Sequence, residues 1–165
     1  MTEPSAGPAL EIVLDAGSVG ADDAVAAMHR AFAEYTAKGQ MSGALLETAE
    51  SLREEIAAGE RIALVRLDGE AVAVAKHHPA SDGTLYFGRL GVVPEARGRG
   101  IAAALVRALR AGAHAEGLAG LSCLVRAEED GNIAVYERLG MRVTGRGERV
   151  SRTGATLAVV EMRDA

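Results

Sequence analysis

The sequence predicts an α/β (α+β) fold: a mixed, mostly antiparallel central sheet with one splayed parallel strand pair and helices on both faces. Three observations carry this. Asp68-Gly69 joins two apolar-rich runs, the strongest short hairpin signal in the chain. The apolar run Leu85 to Val93 passes through Pro94 and an Arg/Gly-rich turn into a helical pattern, and a further apolar run follows that helix. Strands joined by a helix lie parallel.

Taken in order, residues 1–8 are rich in Pro, Gly and Ser and read as a flexible N-terminus, leaving 9–165 as one domain. Ala9 to Leu14 reads as a first strand. Ser18 or Asp22 can cap a helix reaching Lys38, with Val25, Met28, Phe32 and Tyr35 at helical spacing and Gly39 as the stop. A second helix is expected over Ala44 to Ala58. The period then changes. Arg61 to Leu67 and Glu70 to Lys76 form the hairpin, Pro79 to Gly83 turns, and Leu85 to Val93 is the central strand. The next helix puts Ile101, Leu105, Ala108 and Leu109 on one face, with Arg107 and Arg110 outward. Leu121 to Arg126 is the parallel strand. Asn132 to Leu139 fits a short helix ended by Gly140. Met141 to Gly145 and Thr156 to Arg163 close the sheet as an antiparallel pair.

Composition bounds the function. The chain has 165 residues, 48% hydrophobic and 25% charged, so it can bury a real core. Aromatics are only 3% and Trp is absent, so that core is built from Ala, Val, Leu and Ile. A net charge of −5 argues against general nucleic-acid binding. The lone Cys123 excludes an internal disulfide and a Cys-rich zinc site, and the pattern LSCLV reads as a buried strand. No signal sequence opens the chain and no apolar run is long enough to span a membrane, which makes the cytoplasm the expected location.

The turn after Val93 is where the chemistry gathers. Glycines let the backbone curl close to a ligand. The first turn of a helix leaves N–H groups without intrahelical partners, and its dipole favours an anion. Arg97 and Arg99 add charge and forked donors suited to phosphate. Parallel strands that part at this end leave a cleft beside the anion cradle.

The run V92-V93-P94-E95-A96-R97-G98-R99-G100-I101-A102 resembles the acyl-CoA signature of the GNAT superfamily of N-acetyltransferases, Arg/Gln-x-x-Gly-x-Gly/Ala, with Arg97, Gly100 and Ala102 at its defining positions. N132-I-A-V-Y136-E-R-L-G140-M141 resembles that family's second motif, Asn-x3-Tyr-x3-Gly-apolar, with Met141 where Phe or Tyr is commoner. The resemblance implies an acyl-CoA N-acyltransferase fold and acetyl-CoA as co-substrate. It implies that backbone amides of Arg97, Gly98, Arg99, Gly100, Ile101 and Ala102 hold the CoA diphosphate. Val92 and Val93 would pair with the pantetheine arm through their main chains, and a strand amide would polarise the acetyl carbonyl. Asn132 would bond the arm or support the site, and Tyr136 would protonate the departing thiolate. A thiol has a pKa of about 8.5 and a phenol about 10, so the phenol can do this without ionising itself. Many relatives are homodimers.

Other readings stand beside these. Tyr136 also fits a core aromatic, and Asn132 a helix N-cap. His77-His78 reads as a solvated strand end, and Glu128-Glu129-Asp130 as a solvated turn. The acceptor amine must lose a proton, at a cost of about 4–5 kcal/mol for a lysine-like amine and about 1 kcal/mol for an α-amino group. The central strand carries Arg89 where an acid would serve, leaving Glu34, Tyr35, His77, Glu128 or water as the base; Arg89 could instead bind an acidic substrate. A non-catalytic acyl-CoA-binding module and an NAD(P)-dependent oxidoreductase are the competing functions, the latter because G98-R-G100-I-A-A103 formally matches Gly-x-Gly-x-x-Gly/Ala.

Overall fold

Seven strands form one sheet in the order β1-β2-β3-β4-β5-β7-β6. The computed structural model describes residues 9–37, 42–151 and 154–165, so the expectations for residues 1–8, Lys38 and Gly39 lie outside the described residues. The strands are β1 (Leu10–Val13), β2 (Arg61–Leu67), β3 (Glu70–Pro79), β4 (Leu85–Val92), β5 (Leu121–Arg126), β6 (Met141–Val150) and β7 (Thr156–Asp164). The helices are α1 (Ala21–Phe32), α2 (Glu34–Ala37), α3 (Ala49–Ala57), α4 (Ile101–Ala115) and α5 (Asp130–Arg138). Every pairing is antiparallel except β4 with β5. The predicted sheet and its one parallel pair are therefore present.

The β2–β3 hairpin forms where Asp68-Gly69 requires it. Both residues have positive φ, 51° and 85°, the backbone of a primed turn whose twist matches the flanking strands. Side chains then alternate across β3. His77, with Leu85 and Leu109, lines a cavity beneath α4, so odd positions here face α4. Lys76 bonds Glu47 and Glu55, so even positions face α3. The core lies on both sides of the sheet. The α4 stripe of Ile101, Leu105, Val106, Leu109 and Ala113 covers one face, and α1 buries Ala21, Ala24, Val25, Ala27, Met28 and Ala31. Each buried Leu or Ile contributes about 1.5–3 kcal/mol. The small alanines let helix and sheet approach closely.

Several element ends differ from expectation, each for a local reason. Neither Ser18 nor Asp22 caps α1; a 3-10 turn at Ser18–Gly20 precedes it and Gly20 is the N-cap. The second helix starts at Ala49 rather than Ala44, because Thr48 and Ser51 form a reciprocal capping box with two 3.0 Å bonds. Gly43–Leu46 is a separate 3-10 turn, and Glu47 follows it in extended conformation. β6 runs on to Val150 because its ladder with β7 continues through exposed residues, which carry no burial pattern for a sequence to reveal. Arg110 does not point outward. It forks onto Asp164 at 2.7 and 3.0 Å and donates to the Leu139 carbonyl, while Asp164 also takes the Leu121 amide, which ties α4, α5, β5 and β7 together. His77 is not solvated: it is buried, donates Nε2 to the Leu14 carbonyl at 2.6 Å, and burial pushes it below the usual imidazole range.

Candidate active site

β4 and β5 pair only at Leu85–Leu121 and Tyr86–Ser122, and part beyond. A 2.7 Å bond between the Thr84 and Ser122 hydroxyls pins the closed end. The cause of the parting lies on the other edge of β4. Val74 pairs with Gly91 and Lys76 with Gly88, so three steps on β4 answer two on β3. This bulge bends the strand away. Arg89 sits in it with φ 52°, a left-handed conformation costing about 1–2 kcal/mol for a residue with a side chain. The opening is a cavity of about 370 Å³ lined from both faces of the sheet.

At the open end the chain turns into α4. Gly98 and Gly100 have φ of 78° and 75°, and a Cβ on either would meet nothing within 4 Å. Glycine adopts these angles without strain, and the space before both is free. Gly100 is the N-cap of α4, no side chain caps it and no acid stands in the first turn. The first intrahelical bond runs from Ala104 to Gly100, so the amides of Ile101, Ala102 and Ala103 have no intrahelical partner. Ile101 anchors the turn through its buried side chain. Arg99 is exposed beside it.

Two expected ligand groups are occupied. Arg97 turns its guanidinium away from the turn, onto Glu34 at 2.8 and 3.2 Å, the Ala31 carbonyl at 3.0 Å and the Val92 carbonyl at 3.1 Å. Its fork fastens the turn to α1 and α2, and its amide donates to the Pro94 carbonyl at 3.3 Å, so the expected Arg97 amide contact to an anion is already taken up within the chain. Val93 donates its amide to Val72 and takes the Ala96 amide on its carbonyl, so its main chain is already paired. Val92, one position back in that ladder, faces its amide toward β5.

Tyr136 reaches the cavity from α5 and meets Phe87 edge to face at 5.7 Å. Phe87 pairs with His77, so both rings lie on the α4 side of the sheet. No described residue hydrogen-bonds the Tyr136 hydroxyl, and burial pushes its pKa well above the ordinary phenol. Burial also lifts the Cys123 thiol to about 12, which makes it a packing residue and not a nucleophile. Asn132 lines the cavity as the third residue of α5; Glu129 is the N-cap, so Asn132 is no cap.

The four base candidates fare badly. Glu34 is paired with Arg97, His77 lies on the α4 face, and Glu128 is exposed and off the cavity lining. Tyr35 does line the cavity, stacked under Arg126 at 5.1 Å, but burial and its bond to Glu129 raise it to about 12. On the α3 side the cavity holds Lys76, His78, Glu60, Tyr86 and Arg89. Glu47 stands fully buried behind them, 2.6 Å from Lys76 and 3.9 Å from Arg89, so Arg89 faces an acid of its own chain.

The sequence profile described as the acetyltransferase (GNAT) family matches residues 25–141. The chain belongs to the GNAT family of acetyltransferases. Its co-substrate is acetyl-CoA. The GNAT fold is borne out by solved structures. The ribosomal-protein-S18-alanine N-acetyltransferase of Escherichia coli is 18% identical, with TM-score 0.75 over 94% of this chain and 93% of that one. A spermidine N-acetyltransferase SpeG chimera from Vibrio cholerae gives 17%, 0.73, 94% and 94%. yncA of Salmonella typhimurium, solved with acetyl-CoA, gives 16%, 0.71, 94% and 92%. No curated protein sequence matches the chain.

The site of this GNAT chain fits such a molecule by its own chemistry: unpartnered helix amides for a diphosphate, an unpaired strand edge for an amide-bearing arm, and a slot for a thioester. The dinucleotide reading falls, because the glycine turn follows the fourth strand of a mixed sheet, not the first strand of a parallel one. Among the described residues no helix is long and apolar enough to cross a membrane. Sequence reasoning missed Glu47, Glu60, Lys76 and Tyr86, and it read His78 as a solvated strand end and Glu129 as a solvated turn where both line the cavity. One signal was available: Lys76 and His78 are polar residues two apart on an apolar strand, which places both on one face.

Proposed function

We propose that this chain moves an acetyl group from acetyl-CoA to a primary amine of a small molecule or peptide by direct transfer. The reading rests chiefly on the unpaired edges of β4 and β5, which run from the glycine turn to Tyr136. The amides of Gly98 to Ala102 would hold the diphosphate, helped by the α4 dipole and by Arg99. The Val92 amide would pair with the pantetheine arm, and Asn132 would support it. A free β4 amide in the slot would polarise the carbonyl as negative charge develops on its oxygen. Acetyl-CoA supplies an activated acyl group. Tyr136, held neutral by burial, would deliver its proton to the sulfur.

The test is thiol release from acetyl-CoA with three amines: a peptide with a free alanyl terminus, spermidine, and lysine blocked at its α-nitrogen. The first two follow the named substrates of the structural neighbours. Saturable release with one of them supports transfer. CoA binding by calorimetry with no release from any supports the non-catalytic module instead.

Gly100→Asp separates ligand from fold. Asp tolerates left-handed backbone and favours an N-cap position. The variant is expected to keep its melting temperature within a few degrees, while its carboxylate at the helix N-terminus raises the Kd for CoA by about tenfold or more, one charge repulsion of about 1.4 kcal/mol. Unchanged CoA affinity by calorimetry would move the diphosphate away from this turn.

A further inference from the structure

We infer that His78 is the base that takes the proton from the acceptor amine, with Glu60 as its positioning residue; this rests on the transferase reading above. His78 Nδ1 pairs with Glu60 Oε1 at 3.0 Å. That bond fixes the proton on Nδ1 and leaves Nε2 as the ring's acceptor. Among the described residues nothing hydrogen-bonds Nε2. The ring packs on Tyr86 at 5.3 Å between centroids, and both side chains line the cavity. Glu60 is mostly buried, its side chain 18% exposed, while His78 is 41% exposed, so the orienting carboxylate is held and the imidazole is reachable.

Placement strengthens the assignment. Tyr136 contacts Phe87, the partner of His77, whereas His78 pairs with Tyr86 on the opposite face. The cavity joins the two faces through the gap between β4 and β5. An acid on one side and a base on the other suit a displacement in which nucleophile and leaving group come from different directions. The amine nitrogen forms the C–N bond as its N–H proton passes to His78 Nε2. The C–S bond breaks, its electron pair goes to sulfur, and sulfur takes the Tyr136 proton. His78 then releases its proton to water and Tyr136 regains one from water, so the sum is amide and free thiol. The charged and titratable groups on the His78 side of the cavity are Glu60 ahead of β2, Lys76 on its own strand, and Tyr86 and Arg89 on β4, and Arg149 on β6 lines the same cavity.

The experiment measures kcat, KM and pH profiles of thiol release with the fastest of the three amines above. His78→Gln is expected to lower kcat about 100-fold, keep the Kd for acetyl-CoA within about twofold, and lose the acid limb of the wild-type profile. Imidazole added to His78→Ala should restore part of the rate, a readout that a packing role would not move and that stands if the Gln variant misfolds. Glu60→Gln should cost about tenfold in kcat and shift the acid limb to lower pH. A His78→Gln enzyme within threefold of wild type and with its profile intact, or an Ala variant deaf to imidazole, overturns the base. Absence of thiol release by the wild-type chain with all three amines overturns the transferase reading, and the base with it.

Discussion

Tyr136→Phe is expected to lower kcat by about 100- to 1,000-fold and to leave the Kd for CoA within about twofold. The substitution removes one oxygen. The ring keeps its edge-to-face contact with Phe87 at 5.7 Å, so packing in α5 is preserved. No described residue relies on the hydroxyl for a hydrogen bond, so no partner is orphaned. What disappears is the proposed proton donor, a hydroxyl that burial holds neutral. Without it the thiolate leaves unprotonated or waits for water. Steady-state kinetics with calorimetry on the same preparation decides the matter. Equal turnover would return Tyr136 to the rank of a core aromatic, and a loss of CoA affinity in parallel with kcat would make it a binding residue.

Lys76→Met is expected to destabilise the fold by about 3 kcal/mol. Glu47 has no exposed side-chain surface, and Lys76 at 2.6 Å is its near cation; Lys76 also pairs with Glu55. Removing the ammonium takes the 2.6 Å cation from a carboxylate in low dielectric and leaves Arg89 farther off, at 3.9 Å. Methionine keeps the stem's volume, so the loss reports the charge and not a cavity. Urea unfolding should show the change in midpoint without a change in slope. The double variant Glu47→Met, Lys76→Met should recover most of it, because an apolar pair of similar size replaces a buried ion pair at little cost. A single-variant loss below about 1 kcal/mol would mean that Glu47 is held by other groups.

The legible parts of this chain were those written in main-chain conformation. Asp68-Gly69 turns the hairpin, and the glycines at 98 and 100 turn the strand into α4, because few other residues adopt those angles. The parallel pair followed from a strand–helix–strand order. What could not be read depends on partners distant in sequence. Arg97 looked like a phosphate ligand until Glu34, 63 positions away, claimed its fork. Glu47 and Lys76 are 29 apart, and nothing near either marks a buried ion pair. The choice between His77 and His78 is a choice of sheet face. It is set by the ladder shifts of β3 against β2 and β4, which a one-residue slip would reverse.

The gap between β4 and β5 pierces the sheet, and that has a kinetic meaning for the proposed chemistry. Donor and acceptor need no common doorway. Each can lodge while the other is already seated, and the spent carrier withdraws along its own corridor without evicting the product. Such an enzyme has no use for an acylated side chain as a way-station, and Cys123, the one thiol on the cavity wall, is held protonated by burial.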